Sequence, residues 1–210
     1  MVISTPIITH EDELDLARLE NELVDKLKDH AKEQSKVIKN QKKLADKISD
    51  MNIARDSLNR TLRDVFKQMQ MLAREHRSNV KEQDVNLMEQ LIRQNDEYIE
   101  ANNKYLNALK DLAVRKDYLV AKKEEFAEAL KEVADNRKVV IKKALDVEKA
   151  KNKMIEGDKL NQLDQELNDV QREFDRARDI LLKKIEQFLE VREEINELWL
   201  KLKENTAKLS

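Results

Sequence analysis

Cysteine is absent from this chain of 210 residues, and glycine and proline occur once each, at Gly157 and Pro6. Without cysteine there is no disulfide, no thiolate zinc cage and no thiol nucleophile. Sheets and alternating α/β folds need glycine and proline for their turns, and this chain has almost none to offer. A phosphate-cradling loop needs several glycines and is excluded outright. Aromatic residues make up only 4% of the chain. No stretch of about 18 apolar residues exists, so no membrane-spanning helix is expected. The opening MVISTPIITH lacks a basic start and an apolar core, and is not expected to act as a signal peptide. Excess charge of one sign is missing too: 41 basic residues stand against 43 acidic ones, for a net charge of -2. That balance gives no general claim on nucleic acid, and none is expected as a partner.

What is there is a charged, helix-favouring composition with a seven-residue beat. Steps of seven from Leu16 reach Leu23, His30, Val37, Leu44, Met51, Leu58, Val65 and Leu72. Steps from Leu91 reach Tyr98, Tyr105, Leu112, Leu119, Phe126, Val133, Val140, Val147 and Met154. Steps from Leu160 reach Leu167, Phe174, Leu181, Phe188, Ile195 and Leu202. Of these 26 positions only His30 is not hydrophobic. A repeat sustained this long predicts supercoiled helices with these residues on the buried seams. The phase slips at two places that carry helix punctuation. Ser78-Asn79 followed by Glu82 reads as an N-cap with a capping-box acid. Gly157-Asp158 reads as a glycine closing one helix and an N-cap opening the next. The prediction is an all-α fold of three long antiparallel coiled-coil helices, about 10–76, 80–155 and 159–206, after a short extension over 1–9.

At 1.5 Å per residue the second helix would span about 110 Å and the third about 70 Å, so a rod is expected. One end is apolar beyond its seam. Leu62, Phe66, Met69, Met88, Ile92, Leu182, Ile185, Leu189, Leu198 and Trp199 lie off the main lines there. Helices apolar on two faces are buried on two faces, which means either a fatter single-chain core or, the reading preferred here, a dimer interface closing a six-helix centre.

Charge is local rather than global. Residues 26–47 carry eight lysines and three acids; residues 137–159 carry eight basic residues and four acids. Residues 11–25 and 186–197 hold the compensating acids. Lys32, Lys36, Lys39 and Lys43 recur at helical spacing, as do Lys138, Lys142, Lys149 and Lys153, with Lys143, Lys151 and Lys159 beside them. Such stripes are either solvated helix faces or contacts for an anionic membrane. His30 reads as a solvated or satisfied seam histidine. Three scattered histidines make a metal site unexpected, no nucleophile constellation is visible, and neither a reaction nor a cofactor is expected.

The third helix resembles the BAR domains of sorting nexins. Within QREFDRARDILLKKIEQFLEVREEI the resemblance rests on Phe174, Leu181, Ile185, Phe188 and Arg192. The basic stretch of the second helix is similar to the arm of that family. The resemblance implies a BAR-like domain over 10–210 and an elongated, crescent-shaped dimer, with itself or with another BAR protein. It also implies anionic phospholipid as partner, curvature sensing or generation in vesicle trafficking, and a cytoplasmic, peripheral-membrane, endosomal location. No phox-homology domain and no amphipathic insertion helix are expected ahead of these helices, and the family's acidic-aromatic step after the arginine is Ile195-Asn196 here. The alternative is a structural coiled-coil scaffold or adaptor that never touches lipid.

Overall fold

The computed structural model describes residues 9–76, 82–154 and 156–207. They form three helices: α1 (His10–His76), α2 (Glu82–Asn152) and α3 (Asp158–Ala207). Among the described residues there is no strand. No proline or glycine lies inside any helix, so nothing removes an amide or releases backbone entropy within them. Thr9 caps α1. Its Oγ1 accepts from the Asp12 amide at 3.2 Å, and the Asp12 carboxylate accepts from the Thr9 amide at 2.9 Å. This reciprocal box holds Asp12 below the usual carboxylate range, chiefly through the backbone hydrogen bond. Glu11, Asp12 and Glu13 in the first turn suit the positive end of the helix dipole.

The expected turn near 78, with its Ser78-Asn79 cap, lies outside the described residues. The second turn differs from expectation. α2 stops at Asn152, short of the predicted 155, and Met154 takes the left-handed conformation at φ 55°. Its amide donates to the Lys151 carbonyl at 3.0 Å. Gly157, at φ 82°, does not close α2. Its carbonyl accepts from the amides of Leu160 and Asn161 at 3.1 and 3.2 Å, so it opens α3 as the N-cap. Asp158 is the first residue of that helix rather than its cap.

The helices sort into two compact units: one of residues up to Ser35 with Asp117–Arg192, the other of Lys36–Lys116 with the residues from Glu193 on. The first unit has an apolar core. Val24, Ala127 and Leu130 form one buried cluster, with Leu27, Phe126 and Leu181 packed on it. Val133, Phe174 and Ala177 form another, flanked by Val140 and Leu181. Ion pairs show that α1 and α2 run antiparallel here: Lys28 meets Glu128 at 2.6 Å and Glu20 meets Arg137 at 2.9 Å. α3 returns along α2, with Lys143 against Glu166 at 2.5 Å and Lys184 against Glu125 at 2.7 Å.

The second unit buries Leu106, Leu109, Leu112 and Ala113 of α2 with Ile38 and Ala45 of α1 and Ile195 and Leu202 of α3. Between α1 and α2 it also buries amides. Asn52 donates to Asn103 at 2.9 Å, and Asn102 donates to Asn52 at 3.2 Å. Asn59, fully buried, donates to Asp96 at 2.6 Å, and its own Oδ1 finds no partner.

Of the three predicted seams, that of α3 is half-buried or buried throughout, with Phe174, Ile195 and Leu202 fully enclosed. That of α2 is enclosed at Leu112, Leu119, Val133 and Val147 but exposed at Leu91 and Met154. The α1 seam is displaced by one residue. The buried line is Ala17, Val24, Ala31, Ile38, Ala45, Asn52 and Asn59, while Leu16, Leu23, Val37, Leu44, Met51, Leu58, Val65 and Leu72 are exposed. Alanine holds three of the seven inner positions, and the bulkier line is turned outward.

Candidate interaction faces

Two adjacent lines at seven-residue steps lie about 100° apart around α1. The inner line fills the bundle. The outer one remains 42% to 57% exposed at every apolar position from Leu16 to Leu72. Single exposed leucines need no explanation, but a sustained line of them does. In the first unit it comprises Leu16 and Leu23, with Leu19 beside them; in the second it runs from Val37 to Leu72. His30 stands on this outer line and is exposed.

The predicted dimer residues fall in both units. Leu62, Phe66, Met88, Ile92 and Leu198 are half-buried in the second unit, where Met69 and Trp199 are exposed. The Trp199 ring carries the Lys116 ammonium 4.6 Å above it, and burial lowers the pKa of that lysine. Leu182, Ile185 and Leu189 belong to the first unit, with Leu182 and Leu189 exposed.

The predicted membrane lysines also divide. Lys32 belongs to the first unit and Lys36, Lys39 and Lys43 to the second; all four are exposed. Lys32 sits 3.4 Å from Asp29. On α2, Lys138 pairs with Asp135 at 3.7 Å and Lys151 with Asp164 at 3.7 Å. Lys143 joins α2 to α3 through Glu166, and their hydrogen bond raises the lysine and lowers the glutamate from their ordinary values. Lys142, Lys149, Lys153 and Lys159 are exposed around the 153–157 turn, and Met154 among them is 87% exposed.

Two cations of the first unit, half-buried Arg137 and buried Lys123, were not singled out in the sequence. Arg137 is forked onto Glu20, with bonds of 3.1 and 2.9 Å, and also reaches Glu13; its charge lies 5.1 Å from the Phe174 ring. Burial pulls its pKa down, and the hydrogen bonds to Glu20 and Glu13 more than offset this. Lys123 is only 3% exposed and donates to His30 Nδ1 at 2.8 Å and to Gln34.

An open groove of about 810 Å³ runs beside Glu124, Glu128, Glu132, Asp135 and Ile180. Another of about 500 Å³ lies beside His10, Glu13, Arg137, Phe174 and Arg178. Neither brings together a nucleophile and its base. Among the described residues no cluster of metal-ligating side chains occurs, and no helix is long and apolar enough to cross a membrane.

The model of the RIH domain matches residues 26–144, more than half of the chain. The chain belongs to the RIH domain family. The RIH match takes in most of α1 and α2 with their buried amides and the outer line from His30 on; α3 lies beyond it. The residues that resemble sorting-nexin BAR domains, Phe174 to Arg192, therefore fall outside the RIH match. Searches of curated proteins and of solved structures found no match.

Proposed function

We propose that this RIH-family chain is a helical scaffold that holds a partner helix along the outer line of α1 within the second unit, and carries out no reaction itself. The observation that carries this is the exposed heptad line from Val37 to Leu72 in the second unit, which stands beside a buried line of Ile38, Ala45, Asn52 and Asn59. Apolar residues at seven-residue steps supply one of the two seam positions per heptad on which a partner helix packs. The absence of cysteine makes a clean test available. Single-cysteine variants L44C and L58C, carrying an environment-sensitive dye, should report a synthetic helical peptide with leucine at heptad spacing and acidic flanks. A dye at R60C, on the far side of α1, should not. The triple variant L44Q/M51Q/L58Q should keep its helix content and melting midpoint while losing the peptide. A collapse of the midpoint would show the line to be core of the chain itself and end this reading.

A second reading is favoured by the 153–159 turn, where exposed Met154 sits among Lys149, Lys153 and Lys159. An apolar tip ringed by lysines suits an anionic bilayer, each cation adding about 1 kcal/mol. With the α3 resemblance, this reading makes the chain a BAR-like crescent dimer with a six-helix centre on trafficking membranes, closed by the residues from Leu62 to Trp199 named above. Co-sedimentation with vesicles containing phosphatidylserine, at low and moderate salt, tests it. Charge reversal of Lys142, Lys149, Lys153 and Lys159 should abolish sedimentation without touching the Lys143–Glu166 pair. Sedimentation unchanged by that variant, or none at either salt, would reject it.

A further inference from the structure

Within the second unit the bundle thins from three helices to two. Arg115 pairs with Glu194, and Asn205 lines a cavity of about 220 Å³ with Glu97, Ala101 and Lys104, so α3 runs antiparallel to α2 here. Thirteen residues beyond Glu194, α3 ends at Ala207, which that register sets opposite Asn102. α2 extends 20 residues further, back to Glu82. α1 stays beside it, with Asn52 on Asn103 at 2.9 Å and Asn59 on Asp96 at 2.6 Å. Among the described residues no third helix lies along this stretch.

The track that α3 leaves has apolar walls. On α1 its side is marked by Gln41, which accepts from Lys116 at 3.3 Å while that ammonium lies over the Trp199 ring. Steps of seven from Gln41 reach Ile48, Arg55, Leu62 and Met69. Leu62 and Met69 interleave with Leu58, Val65 and Leu72 at steps of four and three, so both seam positions of a coiled coil are apolar there. Of these five only Leu62 is half-buried; the rest are exposed. On α2, steps of seven back from Ala101 reach Gln94 and Leu87, with Leu91 between them, and both leucines are exposed. The residues named on these two walls carry no charge, Arg55 excepted, and Arg55 is held 3.9 Å over the Tyr98 ring.

We infer that this face seats an amphipathic helix of another protein, along the path α3 would take if it were longer. That helix carries an apolar seam at both heptad positions and spans about 30 Å, the rise of about 20 residues. Continuity with the α3 interface carries this: the same two helices enclose Ile195 and Leu202 just before the vacated stretch. A second copy of this chain brings no spare helix to the track, because its own α3 is already packed through those residues. The inference rests on the scaffold reading; it fixes where that partner is anchored, and it makes packing rather than charge the basis of selection.

The test uses the full chain and a fluorescent synthetic peptide of about 20 residues, with leucine at both heptad positions and equal numbers of lysine and glutamate elsewhere. Bound peptide should slow hydrogen exchange in residues 58–72 and 87–101 more than in 37–51. Affinity should hold within about twofold between low and moderate salt. V65Q/L72Q and L87Q/L91Q should each weaken binding by about tenfold or more, and V37Q/L44Q by less, with wild-type helix content in all three. Wild-type binding by either of the first two variants, or protection confined to 37–51, would overturn the inference and leave the scaffold reading standing. No peptide bound at any site would end both. A dimer in sedimentation velocity that L87Q/L91Q abolishes and excess peptide does not dissociate would assign the face to a second copy and also overturn the inference.

Discussion

Lys123 is a cation enclosed beside His30, Gln34 and, 6.0 Å away, the Phe188 ring. Burial lowers its pKa from the ordinary lysine value of 10.5. A depressed lysine means that the unfolded chain binds the proton more tightly. Between the folded and unfolded values stability therefore rises with pH, and below both the charge is a constant burden. Replacement by an apolar side chain of similar length should remove that burden. K123M is expected to raise the melting midpoint at neutral pH by about 2–4 °C, as about 1 kcal/mol does in a protein of this size. It should also flatten the alkaline rise. A lower midpoint in calorimetry would show that the hydrogen bonds to His30 and Gln34 outweigh desolvation. Nothing in the sequence set Lys123 apart, because 40% of the residues are charged and burial depends on which helix face turns inward. Gly157 was different. Its isolation marked a turn correctly, and only its role within that turn was misassigned.

At the scale of the element, the three helices were legible because nothing within them breaks a helix. The α3 seam was legible because that helix has one dominant apolar line. α1 misled because it has two. A count of hydrophobic bulk selects the line of leucines, whereas close packing selected the line of alanine, valine, isoleucine and asparagine one residue on. The signal for it was present in Asn52 and Asn59, amides placed a heptad apart and met on α2 by Asn102, Asn103 and Asp96. The C-terminus of α2 was misjudged for a related reason. Glycine is the usual left-handed residue at such an end, and here Met154 adopts φ 55° instead. A side chain in that region costs about 1–2 kcal/mol, partly matched by the entropy glycine loses on folding. M154G should therefore stabilise the chain by up to about 1 kcal/mol in chemical denaturation. G157A should destabilise it by a similar amount through backbone strain alone, since a methyl group there meets nothing within 4 Å. Opposite signs would contradict the turn geometry.

At the scale of the molecule, composition foretold helices and no more; the division into two units was not visible in it. The units differ in what they bury. One encloses leucine, valine, alanine and phenylalanine, and the other places amide layers between α1 and α2. Amide layers fix register at a cost in stability. Backbone amides of residues 52–59 and 96–103 should thus exchange with deuterium faster than those of 127–134 and 174–181. Equal protection would mean that the asparagine layers carry no penalty.

The offset of one residue on α1 also bears on how this chain is compared with others. An alignment rewards leucine set against leucine, and in most coiled coils that superposes core on core. On α1 it would superpose this chain's surface on another protein's interior and leave every packed position one place out of frame. The residues that anchor a correct correspondence are the inconspicuous ones: Ala17, Ala31 and Ala45, with the two asparagines that follow them.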